Sequence, residues 1–150
     1  MGQHLSYNGD NKERGDEKME NNLRTLKEAV KKGSISAAMT LAEGFKWGYF
    51  GGSDPRRAAA MYRICTRSKN EKVVSDAFYN LGLLYYHGFL LEDEEEKARK
   101  LAFACFMKSA LKSPHKGALR LLGDMYRYGQ YVDKNEEIAL NLYIKASQGA

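Results

Sequence analysis

Small and apolar residues recur along this chain in a fixed order: Ala, Leu four positions on, Gly or Ala, an aromatic, Gly, and a second Ala. The order occurs three times, as Ala37-Leu41-Ala42-Phe45-Gly48-Ala58, Ala77-Leu81-Gly82-Tyr85-Gly88-Ala102 and Ala118-Leu122-Gly123-Tyr126-Gly129-Ala139. Its leucines lie 40 and 41 residues apart. A period of this size marks supersecondary units that each bury an apolar flank against the next, rather than one globular core. Within a unit the apolar positions fall three to four apart, which is helical spacing.

That spacing is missing from residues 1–20, where Asn8-Gly9-Asp10-Asn11 and Glu13-Arg14-Gly15-Asp16 break regular structure. The sequence therefore predicts a disordered polar arm over residues 1–20. From residue 21, Leu23, Leu26, Ala29 and Val30 share one helical face, and Gly33 closes that helix. Each repeat then supplies two helices, A and B. Helix A is predicted over about 34–46, 75–87 and 116–128, and helix B over about 55–68, 94–112 and 136–148. Asp54-Pro55 restarts the chain in the first copy, Asp as cap and Pro in the first turn, and Asn135 stands in the same register in the third. The second copy takes 14 residues from Gly88 to Ala102 where the others take 10. There Asp93 and Glu96 have the spacing of a capping box at the head of a longer helix B. The expected architecture is all-α, an α-α superhelix (solenoid) of about three helix-turn-helix repeats plus an N-terminal helix, over residues 21–150.

The residue types follow from packing. The alanines let paired backbones approach, the leucines fill the space between units, and Phe45, Tyr85 and Tyr126 plug the helix pairs. Gly48, Gly88 and Gly129 permit positive φ at the reversal. In the third copy the order reads Leu122-Gly123-Asp124-Met125-Tyr126-Arg127-Tyr128-Gly129, then Tyr143-Ile144-Lys145-Ala146. The first copy contributes Asp54-Pro55-Arg56-Arg57-Ala58. These strings resemble the Sel1-like repeat, a relative of the tetratricopeptide repeat, over about Leu23 to Ala150. Departures are Ala42 in place of Gly, the insertion in the second copy, and Phe106 where the family often has Tyr. The resemblance implies a right-handed superhelix used as a protein-binding scaffold or adaptor without intrinsic catalysis. Some members are cysteine-rich and disulfide-bonded; this chain lacks that pattern.

Composition excludes several other classes. With 43% hydrophobic and 29% charged residues, the 150-residue chain fits one ordinary soluble domain. A net charge of +5, with no basic cluster alternating with aromatics, argues against a nucleic-acid partner. No apolar run approaches the roughly 20 residues of a membrane span, and no secretory signal is predicted. Cys65 and Cys105, both in predicted helices, suit reduced thiols in a cytoplasmic protein. His4, His87 and His115 are too scattered for a metal site, and no nucleophile–base motif is evident. The expectation is no enzyme, no metal and no cofactor. Met1-Gly2-Gln3-His4-Leu5-Ser6 fits a myristoylation pattern at Gly2, but one acyl chain anchors marginally and the neighbouring tail is net acidic. Membrane attachment is not expected.

Function is therefore sought on a surface. In paired-helix solenoids helix A lines the concave side. The positions there that packing does not claim include Glu43, Lys46 and Trp47 in the first copy. Tyr79, Tyr86 and His87 follow in the second copy, and Arg120, Asp124, Arg127 and Tyr128 in the third. Trp, Tyr and Arg are enriched in binding hot spots. The leading expectation is a scaffold or adaptor binding a partner protein or peptide on this stripe. An alternative is a small bacterial immunity protein that neutralises a toxin or effector by tight binding. A hydrolase, as suggested for cysteine-rich relatives, ranks below both. The oligomeric state is left open.

Overall fold

The computed structural model describes residues 2–148, with side chains from residue 9 onward. The candidate acylation signal, Met1 to Ser6, lies outside those described side chains. Among the described residues there are seven helices and no strand: α1 (Gly2–Lys31), α2 (Ile35–Trp47), α3 (Pro55–Cys65), α4 (Glu71–Tyr86), α5 (Glu95–Lys112), α6 (Lys116–Tyr128) and α7 (Glu136–Gln148). Each helix packs on its neighbours in sequence, most closely within the pairs α2–α3, α4–α5 and α6–α7. The result is an all-α helical repeat solenoid.

The repeated residues occupy repeated places. Ala58, Ala77, Ala102, Ala118 and Ala139 are buried, as are Leu41, Leu81 and Leu122. Phe45 is buried too, whereas Tyr85 and Tyr126 are half-buried, because their hydroxyls keep a route to solvent. The turn glycines Gly48, Gly88 and Gly129 have φ of 79°, 77° and 65°, a left-handed conformation that costs glycine little. Asp54 caps α3 by accepting from Arg57 N–H at 3.1 Å, and Asn135 accepts from Ile138 N–H at 3.0 Å. The same two residues donate their own N–H to the carbonyls of Phe45 and Tyr126, both at 2.8 Å, which fixes the angle between the helices of each pair. The four-residue insertion removes that bond from the second copy.

Close approach of the paired helices is visible at Gly82 and Gly123. A Cβ on Gly82 would lie 2.5 Å from the Phe106 ring, and one on Gly123 would lie 2.6 Å from the Tyr143 ring. Each glycine is thus the seat of an aromatic from helix B. At the far end of the hairpins, Cys65 Sγ points to Ile35 O at 3.9 Å, and Ser109 Oγ donates to Ser75 O at 2.8 Å. Small polar side chains there join the helices without leaving a buried group unpaired.

Several boundaries differ from expectation. Helix α1 begins at Gly2 and is unbroken over residues 2–20, within the segment expected as a disordered arm over residues 1–20. Residues 9–18 are exposed, so this extension rests on propagation from the packed turn Leu23–Val30 rather than on tertiary contact. Helix α4 starts at Glu71 rather than near 75, because Asn70 accepts from both Lys72 and Val73 N–H. Helix α3 correspondingly ends at Cys65, short of the expected 68. The Asp93–Glu96 capping box does not form: Glu94 holds the cap position without a side-chain cap bond, and Lys97 and Arg99 pair with Glu94 and Glu95 instead.

His115 caps α6. Its Nδ1 accepts from Ala118 N–H at 3.2 Å, its Nε2 faces Asp76 Oδ1 at 3.2 Å, and its ring stacks on Tyr79 at 4.2 Å. Burial lowers its pKa from the ordinary value of about 6.5, while Asp76 pulls the other way. A proton on Nδ1 would also cancel the cap. The unfolded chain therefore binds more protons than the folded one as pH falls through about 6.5. The His115 contribution to stability should be full above that value and should decline below it. Thermal midpoints measured from pH 7 to pH 5 should fall, and His115→Asn, which keeps a cap without titrating, should flatten that fall. An unchanged pH slope in the variant would show that His115 is not its source.

Candidate functional site

A cleft lies between the first and second repeats. It has a volume of about 320 Å³ and lies among Lys46 and Trp47 at the end of α2, Ser53 and Pro55 after it, Leu83, Leu84 and His87 at the end of α4, and Phe89 beyond. Trp47 is 62% exposed and Phe89 54% exposed, so two large aromatics stand at a mouth floored by leucines. The indole N–H of Trp47 donates to Glu43 at 3.0 Å, which holds the ring upright. Lys46 Nζ sits 5.1 Å from the Trp47 ring centre and donates to Asn80 at 2.9 Å, tying the first repeat to the second.

A second, more polar cleft of about 310 Å³ adjoins it and shares His87. Tyr86 spans from its wall to the third repeat, donating its hydroxyl to Gln130 at 2.8 Å. Further along, the Arg127 guanidinium lies 5.3 Å from the ring centre of exposed Tyr128, and Arg120 is also exposed.

The expected site residues separate into three groups. Trp47, His87, Arg120, Arg127 and Tyr128 are exposed. Glu43, Tyr79 and Asp124 serve the fold. Glu43 accepts from Tyr62 at 2.7 Å, Asp124 accepts from Tyr143, and Tyr79 fills the space over Gly117 against His115 and Phe106. Lys46 and Tyr86 do both, bridging repeats while lining a cleft. Phe89 was not expected. It follows the turn glycine Gly88 in the same register as Tyr49 and Gln130, whose N–H groups make the equivalent backbone bond; its only signal was an aromatic beside a turn glycine.

The electrostatics of this face follow from those bonds. The carboxylates on the A helices are engaged internally, Glu43 by Tyr62 and Trp47, Asp124 by Tyr143, and Asp76 by His115, whereas exposed Glu92 lines the second cleft. Burial, reinforced by the adjoining carboxylate, pushes the Tyr62 and Tyr143 hydroxyls up, so both stay protonated donors. Arg120 and Arg127 have no such carboxylate partner among the ion pairs of the described residues. What the A helices leave exposed is Trp47, Arg120, Arg127 and Tyr128, a cationic and aromatic set. Cys65 and Cys105 are free, and burial pushes both thiols up to about 11, a range in which little thiolate exists at neutral pH. Among the described residues no group of three His, Cys, Asp or Glu could hold a metal ion, and no helix is long and apolar enough to cross a membrane.

Comparison with known proteins follows the same lines. The Sel1 repeat model matches residues 75–112 and 117–149, which are the α4–α5 and α6–α7 hairpins. A protective antigen present in uropathogenic Escherichia coli strains, displaying an SLR fold, superposes with a TM-score of 0.68 at 25% identity over 84% of this chain. This chain spans only 25% of the length of that protein. A Sel1 repeat protein from Oxalobacter formigenes superposes with a TM-score of 0.62 at 25% identity, covering 85% of this chain and 90% of its own. No curated protein matches the sequence.

Proposed function

Because the chain belongs to the Sel1 repeat family, whose members are generally protein-interaction scaffolds, we propose that residues 21–150 act as a cytoplasmic binding module for an acidic, extended segment of a partner protein. A bulky apolar side chain of that segment enters the cleft between Trp47 and Phe89 and loses its water there. Flanking acidic residues pair with Lys46, Arg120 and Arg127, and Tyr128 and His87 supply the remaining contact surface. The observation that carries this reading is an asymmetry along the A helices: Glu43, Asp76 and Asp124 are spent on internal bonds while Trp47, Arg120, Arg127 and Tyr128 remain exposed. Binding, rather than turnover, is what such an arrangement does.

The test is selection from a displayed library of random peptides. Enriched peptides should pair one aromatic or large aliphatic residue with nearby Asp or Glu. Trp47→Ala with Phe89→Ala should weaken their binding by on the order of 100-fold or more, with the melting temperature unchanged, since both side chains are exposed. Tyr86 is a poorer target, because its loss also frees Gln130. Peptides without acidic residues, or equal binding by the folded double variant, would overturn the proposal.

A further inference from the structure

Two stretches of helix B carry cations and no acids. Residues from Pro55 to Asn70 include five Lys or Arg and no Asp or Glu, and those from Lys97 to Lys116 include six and none. Between α3 and α5, Arg56, Arg63 and Lys97 line a cleft of about 410 Å³ together with Leu90, Leu91 and Leu101. Arg63 Nη2 donates to the Tyr85 hydroxyl at 3.0 Å, which orients the guanidinium. Neither Arg56 nor Arg63 meets a carboxylate among the ion pairs of the described residues, and Lys97 has only an exposed pairing with Glu94 at 3.7 Å. This cleft continues the one at Trp47. Pro55 lines the first and Arg56 the second; Phe89 lines the first, and Leu90 and Leu91 the second. Glu92, Asp93 and Glu94 edge the passage between them.

Resting on the reading that an acidic extended segment of a partner protein is anchored at Trp47 and Phe89, we propose that one flank of that segment continues along α3 and sets an acidic side chain on Arg63. Charge complementarity selects that occupant. A guanidinium oriented by a neighbour and unpaired with any carboxylate takes Asp or Glu through two parallel N–H bonds, and Arg56 and Lys97 add to the attraction. The spacing is set by the helix. Arg63 lies eight residues past Pro55, about 12 Å along α3, which an extended chain covers in about four residues. The acids of the passage repel an acid placed beside the anchor, so the preference falls on the later position. A single-stranded nucleic acid fits less well. Tyr85, the one ring lining this cleft, is half-buried and holds Arg63, so no base could stack on it.

Displayed peptides randomised on both sides of one fixed tryptophan test this. Selection on the parent chain should favour Asp or Glu about three to five positions from the anchor on one side, and not at the position next to it. Selection on Arg63→Glu should favour Lys or Arg there instead. That variant should bind the parent's peptides about 10-fold more weakly. Its helicity and melting should be unchanged, since Arg63 is exposed and glutamate can accept from the Tyr85 hydroxyl. Trp47→Ala with Phe89→Ala should weaken all anchored peptides alike, whatever their flanks. Equal binding by Arg63→Glu with an unaltered charge preference would overturn this contact and leave the anchoring cleft standing. Peptides that bind without dependence on Trp47 and Phe89 would overturn both readings. Binding of the parent chain to phosphatidylserine vesicles, lost in Arg63→Glu while peptide selection stays the same, would assign the cleft to lipid headgroups and overturn the proposal.

Discussion

Phe106→Ala should lower the free energy of unfolding by about 3–5 kcal/mol, the largest loss expected from any single substitution here. The ring is fully buried and sits where two interfaces meet. It lies on the backbone of Gly82 within its own helix pair, and it faces Ala118, Leu122 and Met125 of the next. Tyr79 and Tyr86 approach it with ring centres at 6.1 Å each. Removing it opens a cavity on both sides at once, and the rigid seat at Gly82 cannot close inward to fill it. In a stacked architecture this costs the coupling between neighbours as well as local packing. The denaturant transition should therefore broaden as well as shift, because α6 and α7 no longer unfold together with the rest. A loss below about 1 kcal/mol with an unchanged slope would show that the second and third repeats are held together elsewhere.

Glu43→Leu should cost about 1–3 kcal/mol, and Tyr62→Phe added to it should recover most of that loss. The Tyr62 side chain is fully buried and its hydroxyl has Glu43 as partner at 2.7 Å. With the carboxylate gone, the hydroxyl is left unpaired in a place water does not easily reach. Tyr62→Phe alone should cost less, about 0.5–1.5 kcal/mol, because half-buried Glu43 retains both solvent and the Trp47 indole. The chain itself suggests the compensation. The first and third copies use an acid on helix A with a tyrosine on helix B, Glu43 with Tyr62 and Asp124 with Tyr143. The second has Leu83 and Phe106 at those places, so acid and hydroxyl are absent together. A double-mutant cycle on urea unfolding would measure the coupling; additive losses would show that the pair acts independently.

Much of the architecture was written locally. Helices α6 and α7 lie where the periodicity predicts them, and Asp54 and Asn135 cap as their residue types require, since spacing and capping involve residues within one turn. Errors arose where a near neighbour competed. Asn70 took the start of α4 from the predicted position, and Glu94 rather than Asp93 came to the head of α5. The polar run before residue 21 shows no amphipathic face, yet helix α1 continues through it from a packed turn downstream.

The state of each surface charge was not legible in this way. Glu43 and Asp124 read as free contact residues in the sequence, but each meets a tyrosine 19 positions away on the partner helix. Tyr79 read as a binding aromatic and lies over Gly117 in the next repeat. Phe89 lies just past the helix-A positions from which the stripe was read, and its register mates Tyr49 and Gln130 share no chemistry that marks the position. Repeat spacing and helix positions come from the periodic burial of small and apolar side chains, and the amino-acid order alone determines them. Which polar groups are spent inside the molecule and which face a partner depends on hydrogen bonds and ring contacts across helices, and these exist only once the hairpins have stacked.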